Sequence, residues 1–219
     1  MIKYVLFDLD GTLLSTLDTI TYHLNGTISA LSLGEVSLED TRQFIGNGAR
    51  KLVSRALAKN GVYDEDTVSK VLGIYNSAYD ADPLPHTYPY DGVPELVEAL
   101  YERGITLGVV TNKPEPTAIK LVESFFPGRF AFVRGGKAGV ALKPDPTEAI
   151  ALLSSVGGCA SECAFIGDTD VDILTGKNMG ASLSIGVSWG FRPGEELASA
   201  GADLVSGNPE EILNAITEH

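Results

Sequence analysis

The stretch Tyr4-Val5-Leu6-Phe7-Asp8-Leu9-Asp10-Gly11-Thr12-Leu13 decides how the rest of the chain is read. A short apolar run stops abruptly on two carboxylates and a glycine. Apolar side chains on both faces mark a central strand of a parallel sheet, covered on each side. Successive side chains of a strand alternate, so Asp8 and Asp10 leave on the same side, about 7 Å apart at ~3.3 Å of rise per residue. Two such carboxylates repel unless a cation lies between them or one holds a proton. Gly11 lets the chain turn sharply.

Beyond this strand the pattern changes. Residues 15–83 lack strand-like runs, and apolar residues recur at helical spacing: Leu17, Ile20, Leu24, Ile28, Leu31. Ser37 and Asp40 fit a helix cap, and Gly46-Asn47-Gly48 precedes a second helix carrying Leu52, Val53, Ala56 and Leu57. A third helix spans about 64–80. This segment reads as a small helical insert. From residue 89 onward strands and helices alternate. Strands are expected at 105–110, 130–133, 163–166 and 182–186, with a weaker one at 203–205. Thr111 and Asn112 are placed at a helix start, where free N–H groups make an anion site. Asp145 is read as the N-cap of a helix opening at Pro146, with Glu148 as its reciprocal cap. The alternation predicts an α/β fold, a doubly wound parallel sheet, with a core of residues 1–14 and 84–219 and an all-helical insert over 15–83. Ligands of such sheets bind at the carboxyl ends of the strands. Asp8, Asp10, Thr111 and Asp168 all fall there.

The totals narrow the function. The 219 residues suit one large domain with an insert. Net charge is −13, from 29 acidic and 16 basic residues, which disfavours nucleic acid and anionic membrane as partners. No apolar run approaches the ~20 residues needed to cross a bilayer. The first strand begins at once, without a leader, and Cys159 and Cys163 suit a reducing compartment, so a cytoplasmic setting is expected. Neither a zinc cluster, a Walker phosphate loop nor a dinucleotide fingerprint is present.

Several carboxylates at one sheet edge (Asp8, Asp10 and Asp168, followed by Asp170 and Asp172) suit a hard cation such as Mg²⁺. Lys143 is the natural cationic partner of Asp8. In the insert, Gly46-Asn47-Gly48 is either a plain turn or a receiver for a substrate carboxylate. Arg50 is the residue of the Arg50/Lys51/Arg55/Lys59 cluster placed to face the site, the other three sharing a solvated face. His23 and His86 have no visible partner.

Four segments together carry a resemblance: Asp8-Leu9-Asp10-Gly11-Thr12, Thr111-Asn112-Lys113, Lys143-Pro144-Asp145-Pro146 and Gly167-Asp168-Thr169-Asp170-Val171-Asp172. In this order, each at a strand end, they are similar to those of the haloacid dehalogenase-like hydrolases. The insert resembles the small helical cap of one subgroup. Phe44 to Arg50, Pro89 to Val93 and Ser188 to Phe191 look like its phosphoglycolate phosphatases.

The resemblance implies a Mg²⁺-dependent phosphatase acting on a small phosphorylated metabolite, 2-phosphoglycolate first. Asp8 is then the nucleophile and Asp10 the proton donor and acceptor. Asp8, the carbonyl of Asp10 and Asp168 hold the metal, with Asp172 behind them. Thr111, Asn112 and Lys143 bind the phosphoryl group. A phosphosugar mutase, a pyrophosphatase or a non-catalytic binding protein are the competing expectations. A monomer or homodimer is expected. Leu14-Ser15-Thr16 departs from the Val-Asp-Ser often found in the family, at the point where the chain leaves for the cap.

Overall fold

The computed structural model describes residues 1–219. Six parallel strands form the central sheet in the order β5-β4-β1-β6-β7-β8. These are β1 (Tyr4–Phe7), β4 (Thr106–Pro114), β5 (Phe132–Gly136), β6 (Cys163–Gly167), β7 (Leu183–Val187) and β8 (Leu204–Ser206). The strand that opened the sequence lies mid-sheet, with β4 and β6 on its two sides. Val5, Leu6 and Phe7 are almost fully buried, as their unbroken apolarity requires.

Helices cover both faces: α5 (Val93–Glu102), α6 (Glu115–Phe125), α7 (Thr147–Ser155), α8 (Asp170–Met179), α9 (Gly194–Ser199) and α10 (Pro209–Glu218). Two apolar clusters follow from this layering. One holds Val5, Phe7, Leu107, Val109 and Ile166 against α5, α6 and α10, and the other holds Leu6, Val110, Phe165 and Met179 on the opposite face.

Between β1 and β4 the chain builds α1 (Leu17–Ala30), α2 (Leu38–Phe44), α3 (Ala49–Lys59) and α4 (Glu65–Ala81). These helices bury a cluster of their own, including Leu24, Ile28, Val53, Leu57, Val71 and Tyr79. Ser37 and Asp40 form the expected capping box, and Asp64 caps α4 through the Thr67 N–H at 2.8 Å. The way in and the way out of this helical layer pair as a short antiparallel ribbon, β2 (Leu14–Ser15) with β3 (Tyr88–Pro89). No helix is long and apolar enough to cross a membrane.

Two local expectations are corrected. β4 continues through Asn112 and Lys113 to Pro114, with an irregularity in its pairing to β5 after Val110. Thr111 and Asn112 therefore leave an irregular strand end, and the helix begins only at Glu115. Likewise α7 begins at Thr147 with Pro146 as its N-cap. Asp145 bonds the Thr147 N–H at 2.9 Å from the preceding turn, while Glu148 turns to Arg134 at 3.8 Å. Pro146 has no N–H to offer a reciprocal cap.

Candidate active site

The carboxyl ends of β1, β4 and β6 meet the helical layer at a cleft. Asp8 follows β1 directly and is 8% exposed. The Lys143 ammonium stands between Asp8 Oδ1 at 2.8 Å and Asp172 Oδ1 at 2.7 Å. Its approach to Asp8 is out of line for a hydrogen bond, so Asp8 Oδ1 is buried without a hydrogen-bond donor. Burial raises the Asp8 carboxyl to about 6, with the Lys143 charge opposing the rise and Asp172 adding to it. Burial also disfavours the Lys143 ammonium, but Asp172 and Asp8 outweigh it and hold the lysine above its ordinary pKa.

Asp168, at the end of β6, is fully buried. Its Oδ1 accepts from the Thr12 hydroxyl at 3.1 Å and its Oδ2 from the Phe191 N–H at 2.7 Å. Burial, then the charges of Asp172 and Asp8, push its pKa well above the usual carboxylate range. The backbone crowds it closely. A Cβ at Gly11, which has φ +86, or at Gly190 would overlap the Asp168 carboxylate. Asp172 sits in the first turn of α8, where its Oδ2 accepts from the N–H and hydroxyl of Thr169 at 3.0 and 2.8 Å, closing a capping box.

Oxygens of Asp8, Asp168 and Asp172 lie within 4.8 Å of one another. Three buried carboxylates facing one lysine leave an excess of negative charge that needs a cation. With all-oxygen donors and one carboxylate oxygen unbonded, the cluster fits a hard divalent metal ion. Asp172 is the more heavily engaged, its Oδ1 on the Lys143 ammonium and its Oδ2 accepting twice from Thr169, whereas each Asp168 oxygen accepts a single neutral hydrogen bond.

Asp10 lies apart from this cluster. Its two oxygens take the Lys113 ammonium at 3.0 and 3.1 Å, and Lys113 also reaches the Tyr79 hydroxyl of α4 at 2.8 Å. Sequence reasoning placed Lys113 within a motif and gave it no role. The signal available was its adjacency to Thr111 and Asn112 on one strand end. Its partners lie 103 and 34 residues away.

The remaining residues divide. The Thr111 hydroxyl accepts from the Lys113 N–H at 3.3 Å and keeps its own proton to donate. The Asn112 side chain is occupied: its amide donates to Gly46 O at 3.0 Å and Lys143 O at 3.1 Å, and its Oδ1 accepts from Lys143 N at 2.8 Å. It positions the Lys143 loop instead of offering an amide to a ligand. Gly46 and Gly48 line the cleft, whereas the Asn47 side chain is held by Arg55 at 2.8 Å. Arg50 is absent from the cleft. It pairs with Glu65 and Ser69 on the surface, both at 2.8 Å, because the start of α4 offers it a carboxylate there. Arg55 also departs from the expected solvated face, bonding Phe44 O at 2.7 Å. His23 has a partner after all, Asp82 O at 2.9 Å, and stacks on Tyr79.

A second contact ties the helical layer to the core. Arg192, in the loop after β7, donates to the carbonyls of Arg42 at 2.7 Å and Ile45 at 3.1 Å around the end of α2. Arg42 donates back to Gly190 O at 3.3 Å. The same loop carries the Phe191 N–H on Asp168.

A parallel doubly wound sheet that gathers carboxylates and a buried lysine at its carboxyl edge, beneath an inserted helical layer, defines an α/β enzyme of the hydrolase kind. Residues 5–185 match the family model of the haloacid dehalogenase-like hydrolases, and the chain belongs to that family. Relatives of similar length share about a third of its residues. The phosphoglycolate phosphatase of Vibrio parahaemolyticus is 33% identical, over 98% of this chain and 96% of its own. That of Rhodospirillum rubrum is 36% identical over 92% of this chain and 86% of its own. A crystal structure from Lactobacillus delbrueckii subsp. bulgaricus, which carries the same activity provisionally in its name, is 31% identical. It superposes with a TM-score of 0.89 over 98% of each chain.

Proposed function

We propose that the protein is a Mg²⁺-dependent phosphomonoesterase that hydrolyses 2-phosphoglycolate through an aspartyl-phosphate on Asp8. The observation that carries this is Asp8 itself, a buried strand-end carboxylate beside Lys143 with one oxygen unbonded. The family and the activity of its full-length relatives support the choice of substrate.

Asp8 attacks phosphorus and displaces the glycolate oxygen, to which Asp10 gives a proton. Water then opens the acyl phosphate, Asp10 takes a proton from it, and Asp8 is returned with inorganic phosphate. The Thr111 hydroxyl and the Lys143 ammonium hold the transferring oxygens, as electrostatic catalysis of phosphoryl transfer requires. Asn112 keeps the Lys143 loop in place. Asp8, the backbone carbonyl of Asp10 and Asp168 would hold Mg²⁺, with Asp172 orienting Lys143. When bound, Mg²⁺ supplies positive charge against the phosphoryl oxygens. The helices of residues 15–83 act as a cap that shields the leaving-group side of the cleft, with Gly46 and Gly48 on its rim.

The test is a phosphate-release screen over small phosphate esters, sugar phosphates and pyrophosphate, with and without Mg²⁺. The expected result is release that depends on Mg²⁺ and is fastest for 2-phosphoglycolate. Interconversion of a sugar phosphate without net release would mark a mutase instead.

A further inference from the structure

We propose that Lys113 is the specificity residue of the site and receives the carboxylate of the leaving group. This rests on the phosphomonoesterase reading above and names the part of the cleft that selects an anionic ester.

The Lys113 side chain is 2% exposed. It meets the cleft beside Asp10, with its ammonium 4.1 Å from the centre of the Tyr79 ring and 2.8 Å from that residue's hydroxyl. Among the residues lining the cleft only Lys113 and Lys143 are cationic. Lys143 is committed to the phosphorus end, between Asp8 and Asp172. The basic residues of α3 are spent elsewhere, Arg50 on Glu65 and Ser69, Arg55 on Phe44 and Asn47. Ile20, Ile45 and Leu52 supply an apolar wall. A carboxylate entering such a space without a cation is strongly disfavoured. Lys113 is therefore the one cation of the cleft left for an anionic leaving group.

The position follows from the substrate's own length. In a two-carbon leaving group the carboxyl carbon is two bonds from the oxygen that Asp10 protonates. The cation touching Asp10 is thus the cation this carboxylate meets. An ammonium has three protons, here given to the two oxygens of Asp10 and to Tyr79. The carboxylate takes one of the two shared with Asp10. Asp10 keeps a single contact, and its other oxygen becomes available to the leaving oxygen. Recognition of the anion and exposure of one Asp10 oxygen are then one event.

The test is steady-state kinetics of the wild type and Lys113→Met on two esters, 2-phosphoglycolate and 2-hydroxyethyl phosphate. The second has a neutral hydroxymethyl group where the first has its carboxylate. Truncating one partner of a buried charge pair is costly, so kcat/KM for phosphoglycolate should fall about 100-fold. The neutral ester should lose at least tenfold less, so the preference for the carboxylate collapses, and Lys113→Arg should restore most of it. Lys113→Gln, which can still bond Asp10 and Tyr79, replaces the methionine variant if that variant does not fold. Equal losses on the two esters, or undiminished turnover of phosphoglycolate, would overturn the assignment while leaving the phosphatase intact. A wild type that releases no phosphate from phosphoglycolate overturns the substrate reading itself, and the role of Lys113 with it.

Discussion

Two buried lysines stand at the two ends of the cleft, and their surroundings differ. Lys143 is gripped by Asp8 and Asp172, both from the sheet side of the molecule, and its own loop is pinned by Asn112. Every partner belongs to one packed body. Lys113 joins Asp10 on the sheet side to Tyr79 in the helical layer, so its environment spans two separately packed clusters. The difference teaches where rigidity is spent. Charge stabilisation of a transferring phosphoryl group works best from groups that do not reorganise. Choice of substrate is made where two bodies meet and one of them can shift.

The sharpest break of this comparison is at the Lys143 end. Asp8→Asn keeps the shape of the site and removes the proposed nucleophile. Turnover should fall to background, measured as phosphate release with saturating Mg²⁺. A purified variant with near wild-type activity would sink the covalent mechanism.

Asp168→Asn should separate activity from stability. Turnover drops steeply because a proposed metal donor is lost. The metal-free protein should nonetheless melt higher at neutral pH, since burial holds the Asp168 pKa well above its ordinary value and ionisation there opposes folding. The sign is that of a raised carboxylate: its stabilising contribution is complete below the ordinary value near 3.8 and is lost as pH rises through the folded value. Asp8, raised to about 6, acts in the same direction in both proteins and drops out of their difference. The melting temperature of metal-free wild type, relative to Asp168→Asn, should therefore fall as pH rises above 3.8. That difference cancels His23, whose pKa burial lowers and whose effect runs the opposite way. A difference that stays flat with pH, or a variant that melts lower, would contradict the charge excess around Asp8, Asp168 and Asp172.

The smallest effect sharpens the Lys113 end. Arg50→Ala should leave kcat/KM for the carboxylated ester within about twofold, because Arg50 spends its guanidinium on an exposed pair with Glu65, and such pairs contribute little. A large loss confined to the carboxylated ester would return Arg50 to the site.

Much of the fold was legible in the sequence, because it is written in local chemistry. The unbroken apolarity of Tyr4 to Phe7 marks a strand covered on both faces. The Ser37–Asp40 cap and the alternation after residue 89 announce their elements in the same way. The helical insert was legible from the spacing of Leu17, Ile20, Leu24 and Ile28. The ribbon joining Leu14–Ser15 to Tyr88–Pro89 was not, since two-residue strands carry no periodicity. Nor was the run of β4 on through Thr111 to Pro114, beyond the apolar stretch that ends at Val110.

The site divides in the same manner. Residue types and their order nominated Asp8, Asp10, Lys143 and Asp168 because each sits at a strand end, and a parallel sheet delivers strand ends to one edge. How each side chain is engaged could not be read that way. Asn112 looked like a ligand amide and serves the Lys143 loop. Arg50 looked inward and is outward. Asp10 looked like the proton carrier, with no sign that its carboxylate is held by Lys113.

By itself, then, the sequence determined which elements form and which chemistry gathers at their ends, because propensity, capping and alternation act between near neighbours. Only the tertiary structure decided which cation each aspartate keeps. Coulombic and hydrogen-bonding partners such as Lys113 with Asp10, or Phe191 with Asp168, lie 103 and 23 residues apart. Their pairing is set by how two packed clusters close on one cleft.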